Sequence, residues 1–256
     1  MILALDIGNT CIIIGGMDCG RAVFSFRLST DLARTADEYA VLLSFSAAQR
    51  QVDLKDAEGA IISSVVPQLT GVLFEVVRSL IGKAPLIVGP GVKTGLRIRI
   101  DDPGELGADF VAAAVAALDR YPLPCVTIDM STATAIGVLD AEGNYIGGVI
   151  APGMVVSGNA LARRTAQLPN VYVQPPQTVI GRNTADSMRS GLVYGTAAMI
   201  DGLLDRIEEE LGKPISVVAT GDQAENIAPF CRRRVVFENE LLMRGLWLIY
   251  QKNRRG

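Results

Sequence analysis

The segment ILALDIGNTCIIIGGMD (residues 2–18) sets the fold. An apolar run ends on Asp6, a Gly8-Asn9-Thr10 turn follows, and β-branched residues then resume. Two strands, residues 2–6 and 11–17, joined by that turn are the direct reading. A second turn, Asp18-Cys19-Gly20, leads into AVFSFRLS (22–29), so the chain opens as a β-meander. The shape returns as PCVTIDMSTATAIGVLD (124–140). Aligning Asp6 with Asp129 brings Asp18 and Asp140 into register to within one residue. Both copies then run strand, acid, small polar turn, strand, acid, glycine turn, strand. We read this as a degenerate internal duplication, with domains at 1–119 and 120–256 meeting at a cleft.

The stretches between the copies alternate helices and strands. Helical patterns cover 36–51, 68–82, 107–120, 186–211 and the segment NELLMRGLWLIYQKN (239–253). Short apolar strands fall at 59–66, closed by Pro67, at 84–89 and within PISVVAT (214–220), and GLRIRIDDPGELGAD (95–109) reads as a strand followed by a loop. Asn183 or Thr184 offers a side-chain oxygen to cap the long helix. Strands outnumber a simple βαβ rhythm at the start of each half, so an α/β fold with mixed sheets is expected.

Composition narrows the chemistry. Of 256 residues, 49% are hydrophobic and 20% charged, enough for a substantial core. A net charge of −3 argues against a nucleic-acid partner, which needs a basic face. The tail QKNRRG is read as the solvated end of a last helix. The longest apolar stretch, VAAAVAAL (111–118), is too short to span a bilayer, so no membrane partner is expected. The acid at position 6 fits no signal peptide. The four cysteines form no C-x-x-C pair, and free thiols in a cytoplasmic protein are expected. There is no histidine. That removes Ser-His-Asp and Cys-His catalysis and leaves carboxylates, hydroxyls and backbone groups. Phosphoryl transfer runs on such a toolkit, because positioning, a metal and one carboxylate carry most of it.

Four stretches carry candidate chemistry. Asp6 with Gly8-Asn9-Thr10 can bring a carboxylate and close backbone amides to phosphate oxygens and hydrated magnesium. Asp129 with Ser131-Thr132-Ala133-Thr134 repeats the arrangement. Either alone is also a plain hairpin turn; heading two matched halves, they suggest one nucleotide held between domains. VVATGDQAENI (217–227) places a glycine turn after a strand, which is also an ordinary βα turn. In DDPGELGADF (101–110), Asp109 sits in a helix first turn, where an acid is favoured by the dipole alone but could also orient a substrate hydroxyl.

The whole chain resembles the type III pantothenate kinases of the acetate and sugar kinase/Hsp70/actin superfamily. DIGNT, RTADEY, SSVVPQLT, DDPGELGAD, YIGGVIAPGM, TAQLPNV, IGRNTADSMRSG and ATGDQA carry the likeness in order and spacing, from residue 2 to about 253. The resemblance implies two duplicated actin-like (ribonuclease H-like) domains with mixed sheets flanked by helices and an ATP cleft between them. It implies ATP-dependent phosphorylation of pantothenate, the first step of coenzyme A synthesis. Asp6, Ile7, Gly8, Asn9, Thr10, Cys11, Ile12 and Ile13 would cradle ATP phosphates, and Thr132 would touch ATP. Asp109 would accept the hydroxyl proton. Ile100, Gly107, Ala108, Asp109, Phe110 and Thr184 would line the pantothenate site. Asp129 would hold a monovalent cation, K+ or NH4+, and Mg2+ would accompany ATP. The family is dimeric, with Thr184 reaching the site of the neighbouring subunit.

The chain departs from the family pattern at several points. Cys11 stands where G-N-T-N ends in asparagine. Ser131 and Ala135 replace the ends of G-T-A-T-T. Asp222 replaces the second glycine of T-G-G. Phe110 replaces the arginine of G-A-D-R, and Ile100 replaces a tyrosine. Losing the arginine removes a charged fork for the pantothenate carboxylate. Two alternatives therefore stand beside a working pantothenate kinase. One is a catalytically impaired paralogue acting as partner subunit, in a heterodimer rather than a homodimer. The other is a kinase for a related, less anionic small alcohol. Arg97 or Arg99 could in principle supply the missing charge.

Overall fold

The computed structural model describes residues 1–254; Arg255 and Gly256, the last of the basic tail, lie outside the described residues. The chain divides into two compact units. Among the described residues, one holds 1–97, 101–119 and 240–254, and the other holds 98–100 and 120–239.

The first unit is built on a five-stranded sheet. Its strands are β1 (Ile2–Ile7), β2 (Cys11–Asp18), β3 (Arg21–Ser29), β4 (Ala60–Ser64) and β5 (Leu86–Ile87), in the order β3-β2-β1-β4-β5. β1 runs antiparallel to β2 and parallel to β4, so the sheet is mixed. Residues 2–7 are all buried because helices cover both faces. Leu3, Leu5, Ile7, Ile12, Ile14 and Ile62 pack with α1 (Ala36–Ala48) and α2 (Pro67–Ile81) through Tyr39, Leu43, Leu69 and Leu73. Full burial of each such side chain contributes roughly 1.5–3 kcal/mol. The opposite face takes α7 (Leu241–Arg254), where Met243 lies against Gly15. Next to α7 lies α3 (Ala108–Arg120): a Cβ on Gly245 would fall 1.9 Å from the Ala112 carbonyl oxygen, so only glycine permits the approach.

The second unit carries six strands in the order β11-β10-β7-β8-β9-β6. They are β6 (Arg97–Ile98), β7 (Cys125–Met130), β8 (Ala133–Leu139), β9 (Asn144–Pro152), β10 (Ser216–Thr220) and β11 (Val236–Phe237). β7 is antiparallel to β8 and parallel to β10, repeating the β2-β1-β4 arrangement of the first unit. The helices are α4 (Met154–Arg164), α5 (Thr184–Leu211) and α6 (Ala224–Ile227). Val193, Ala197, Ile200 and Leu204 of α5 pack on Val126, Ile128, Val217 and Ala219.

Several boundaries differ from the sequence reading, each for a physical reason. Pro67 does not close the preceding strand but opens α2 at its first position, where its missing N–H costs nothing. Asn183 is the cap of α5, its Oδ1 accepting from the Asp186 N–H at 2.9 Å, and Thr184 is the first helical residue. The alternating LRIRI yields a strand of only two residues. The C-terminal helix groups with the first unit rather than with 120–239. Its apolar stripe, including Leu242, Met243 and Leu246, covers the face of β1 that α1 and α2 leave open.

Candidate active site

In the first unit the site grows from the end of β1. Strand alternation sends Leu3, Leu5 and Ile7 into the α1–α2 core, which places Asp6 on the other face, level with Ile13 of β2 and Ser63 of β4. Asp6 is 8% exposed, an expensive place for a carboxylate that only packed. The turn after it is tightly held. Gly8 N–H donates to the Cys11 carbonyl at 3.0 Å, Thr30 Oγ1 donates to the Gly8 carbonyl at 2.6 Å, and Thr30 N–H donates to the Thr10 carbonyl at 3.0 Å. Asn9 and Thr10 face solvent, whereas Ile7 and Ile12 belong to the core. Residues 6–13 are thus brought together as one hairpin. Besides the Asp6 carboxylate, the side chains this hairpin can offer a ligand are those of exposed Asn9 and Thr10 and half-buried Cys11 and Ile13, with Gly8 offering backbone. Ile7 and Ile12 could contribute backbone alone.

Asp109 lies in the first turn of α3, and its Oδ1 accepts from the Phe110 N–H at 2.8 Å. Burial raises its pKa above the ordinary 3.8, with that hydrogen bond pulling the other way. A carboxyl with a raised pKa is a better proton acceptor than an exposed one. Gly107 leaves the carboxylate its position: a Cβ there would stand 2.3 Å from Asp109 Oδ1 and push it aside. Ala108 is buried and Phe110 half-buried.

In the second unit Asp129 occupies the position of Asp6. It pairs laterally with Ala135 of β8 and Thr220 of β10. The TGDQ turn, weak as a sequence signal, comes directly against it. Gly221 has φ +96°, and a Cβ there would fall 2.4 Å from Asp129 Oδ1 and 2.7 Å from the Met130 backbone. Gln223 N–H donates to the Met130 carbonyl at 2.9 Å. Thr132 is exposed on the β7–β8 turn. That turn is closed by Ser131 N–H to the Ala133 carbonyl at 2.9 Å and backed by Gly153, whose N–H donates to the Thr132 carbonyl at 3.2 Å.

The donor sets fit the implied ions. Asp129 Oδ1 is shut from solvent within a cradle that a Cβ on residue 221 would fill, which suits a single dehydrated cation. No group of three or more His, Cys, Asp or Glu able to hold a metal occurs among the described residues. Magnesium carried chiefly by phosphates, with one or two carboxylates, is compatible with that.

The remaining acceptor residues, Ile100 and Thr184, belong to the second unit. Ile100 is half-buried just beyond β6. Thr184 is exposed at the start of α5, on a groove of about 510 Å³ that it shares with Ser157, Leu161, Ser187 and Met188. The Arg99 backbone N–H donates to the Tyr145 carbonyl at 2.8 Å; against the upward push of burial, Asp140 is held below the usual carboxylate range by hydrogen bonds from Asn144 and Glu142, with a smaller pull from the Arg99 charge. Ser63 was not anticipated from the sequence. The signal was available in the alternation of β4, which places Ser63 on the Asp6 face and Ser64 on the α2 face.

Comparison with known structures and sequences bears on this arrangement. A Campylobacter jejuni protein crystallised as a Baf family transcriptional activator superposes with a TM-score of 0.63 at 18% identity, over 100% of both chains. A Porphyromonas gingivalis protein crystallised as an N-acetylglucosamine kinase gives 0.53 at 14%, covering 99% of this chain and 100% of its own. The fold shared with these proteins is two mixed α/β sheets flanked by helices. The family model for type III pantothenate kinase matches residues 2–206. The type III pantothenate kinases of Geobacter sulfurreducens and Shouchella clausii are 41% and 43% identical to this chain, over 99% of it and 100% of theirs. The chain belongs to the type III pantothenate kinase family.

Proposed function

We propose that the chain transfers the terminal phosphoryl group of ATP to the 4′-hydroxyl of pantothenate, giving 4′-phosphopantothenate and ADP at the first step of coenzyme A synthesis. The observation that carries this is Asp109: a half-buried carboxyl whose pKa is raised by partial desolvation, held by a helix first turn with its Oδ1 accepting from the Phe110 N–H, in a chain of this family. In this reading the substrate hydroxyl approaches Asp109. The new O–P bond forms as the bond to the β-phosphate oxygen breaks. The hydroxyl proton passes to Asp109, and ADP leaves. The Gly8-Asn9-Thr10 tip takes the phosphates by backbone and side-chain donors, with Asp6 facing the hydrated magnesium that accompanies them. Bound magnesium would neutralise charge on the transferring group. Thr132 contacts ATP, and Asp129 holds K+ or NH4+.

The acceptor side rests on Gly107 to Phe110, Ile100 and Thr184. We read the assembly as a homodimer in which Thr184 of a neighbouring copy completes that site. The exposed apolar residues Val155, Val156, Leu161, Val179 and Ile180, on α4 and just ahead of α5, support this. A second reading rests on Phe110, an apolar side chain beside an intact base, which suits a less anionic alcohol. Purified chain with Mg-ATP, K+ and a panel of alcohols separates the two. Pantothenate turned over ahead of its uncharged analogues supports the first, and the reverse order supports the second.

A further inference from the structure

Two adjacent serines end β4, and the fold treats them in opposite ways. Ser64 is structural: its Oγ accepts from the Val66 N–H at 3.2 Å and from Thr70 Oγ1 at 2.8 Å, and donates to the Val66 carbonyl at 3.3 Å, tying β4 to the start of α2. Ser63 is 0% exposed, and its Oγ has no hydrogen-bond partner. Burying a hydroxyl without a partner destabilises a fold, so such a group calls for a reason other than packing. Its surroundings supply one. In the parallel β1–β4 ladder Ser63 is the direct partner of Asp6, one position before the Ile7–Ser64 pair. Lateral partners on adjacent strands share a face about 4.8 Å apart, within reach of a serine hydroxyl after rotation about one bond.

We propose that Ser63 is a positioning residue for the nucleotide: with ATP or ADP bound, its hydroxyl donates to the Asp6 carboxylate and fixes the rotamer in which Asp6 faces the phosphates and their magnesium. This rests on the reading of the Asp6 hairpin as the phosphate site. The alternative, that Ser63 is a packing residue, predicts opposite effects on stability and kinetics.

The test compares wild type, Ser63→Ala, Ser63→Cys and Ser64→Ala by thermal unfolding, ADP calorimetry in Mg2+, and steady-state kinetics. Ser63→Ala is expected to hold or raise the Tm by about 2–4 °C, because it deletes an unsatisfied group. It is expected to weaken ADP binding and raise the KM for ATP about tenfold or more, the scale of one hydrogen bond to a charged group, while the KM for pantothenate stays within about twofold. Ser63→Cys, a weaker donor, falls between. Ser64→Ala lowers the Tm and leaves the KM for ATP unchanged. Unchanged ADP affinity in Ser63→Ala, or a loss of affinity accompanied by a lower Tm, overturns the proposal. Wild-type protein that binds ADP without phosphorylating pantothenate refutes the acceptor reading instead, and calorimetry then decides Ser63. Wild type that binds no ADP overturns both.

Discussion

Gly107→Ala isolates the geometry of the proposed base from the stability of the fold. A Cβ at residue 107 would stand 2.3 Å from Asp109 Oδ1, whereas ordinary contact begins at 3.4 Å. The carboxylate must therefore move by about 1 Å, which breaks or bends its hydrogen bond from the Phe110 N–H. The neighbouring Phe110 ring, at 3.6 Å, need not shift. The obstruction is the end of a flexible side chain, so the fold itself can accommodate the methyl group. Residue 107 has no positive φ, and alanine there restricts the unfolded chain, stabilising by roughly 0.4–1 kcal/mol. Displacing a reacting group by about 1 Å costs on the order of a hundredfold in rate, or about 2.7 kcal/mol of barrier. The expected result is a kcat about a hundredfold below wild type in a coupled ADP-release assay, with a Tm equal to or slightly above it. A kcat within about threefold of wild type would show that the proton is not taken by Asp109 in this position.

Asp109→Asn should raise stability at neutral pH, since it removes a charge that burial disfavours. The folded pKa is raised, so the folded state holds its proton more tightly than the unfolded one. Wild-type stability from this group is therefore recovered as pH falls from the raised folded value towards 3.8, and the gap between wild type and variant should narrow over that window; a gap independent of pH contradicts the assignment. The wild-type rate should fall in acid at a pH above the ordinary aspartate range, read from kcat/KM against pH. Phe110→Arg should improve pantothenate affinity by roughly ten- to a hundredfold, the value of one charge-assisted contact, and calorimetry showing no gain would remove residue 110 from the acceptor site. Gly221→Ala forces a side chain into φ +96° and against Asp129 and Met130. A loss of about 1–3 kcal/mol, seen as a Tm several degrees lower, is expected, and an unchanged Tm would contradict that packing.

Much of the fold was legible because its information is local. The apolar runs ending on Asp6 and Asp129, each followed by a small polar turn, mark β1–β2 and β7–β8, and the structure reproduces both hairpins with the same neighbour relations. What was not legible depends on distant partners. NELLMRGLWLIYQKN shows an apolar stripe and a glycine but not what they meet: that Gly245 admits the Ala112 backbone, and Met243 lies against Gly15, depends on partners far away in the chain. The alternation of LRIRI reads as a longer strand than the two residues that find a partner. Pro67 permits both an ended strand and an opened helix, and the packing of Leu69 and Leu73 selects the helix. At the site, Asp6 and Asp129 could be read from their positions at the ends of apolar runs, and Asp109 from its place in a helix first turn together with the family likeness. Alternation along IISSVV separates the faces of Ser63 and Ser64, but Ser63 acquires meaning only from its partner across the ladder.

The central claim is phosphoryl transfer to pantothenate with Asp109 as proton acceptor. The most direct test is a single-turnover reaction of purified chain with γ-labelled ATP, Mg2+, K+ and pantothenate, run beside Asp109→Asn. The account predicts label on the pantothenate 4′-oxygen with wild type, and a yield in Asp109→Asn lower by at least about a hundredfold although ATP still binds. Label that reaches only water, or transfer by Asp109→Asn at the wild-type rate, would contradict it.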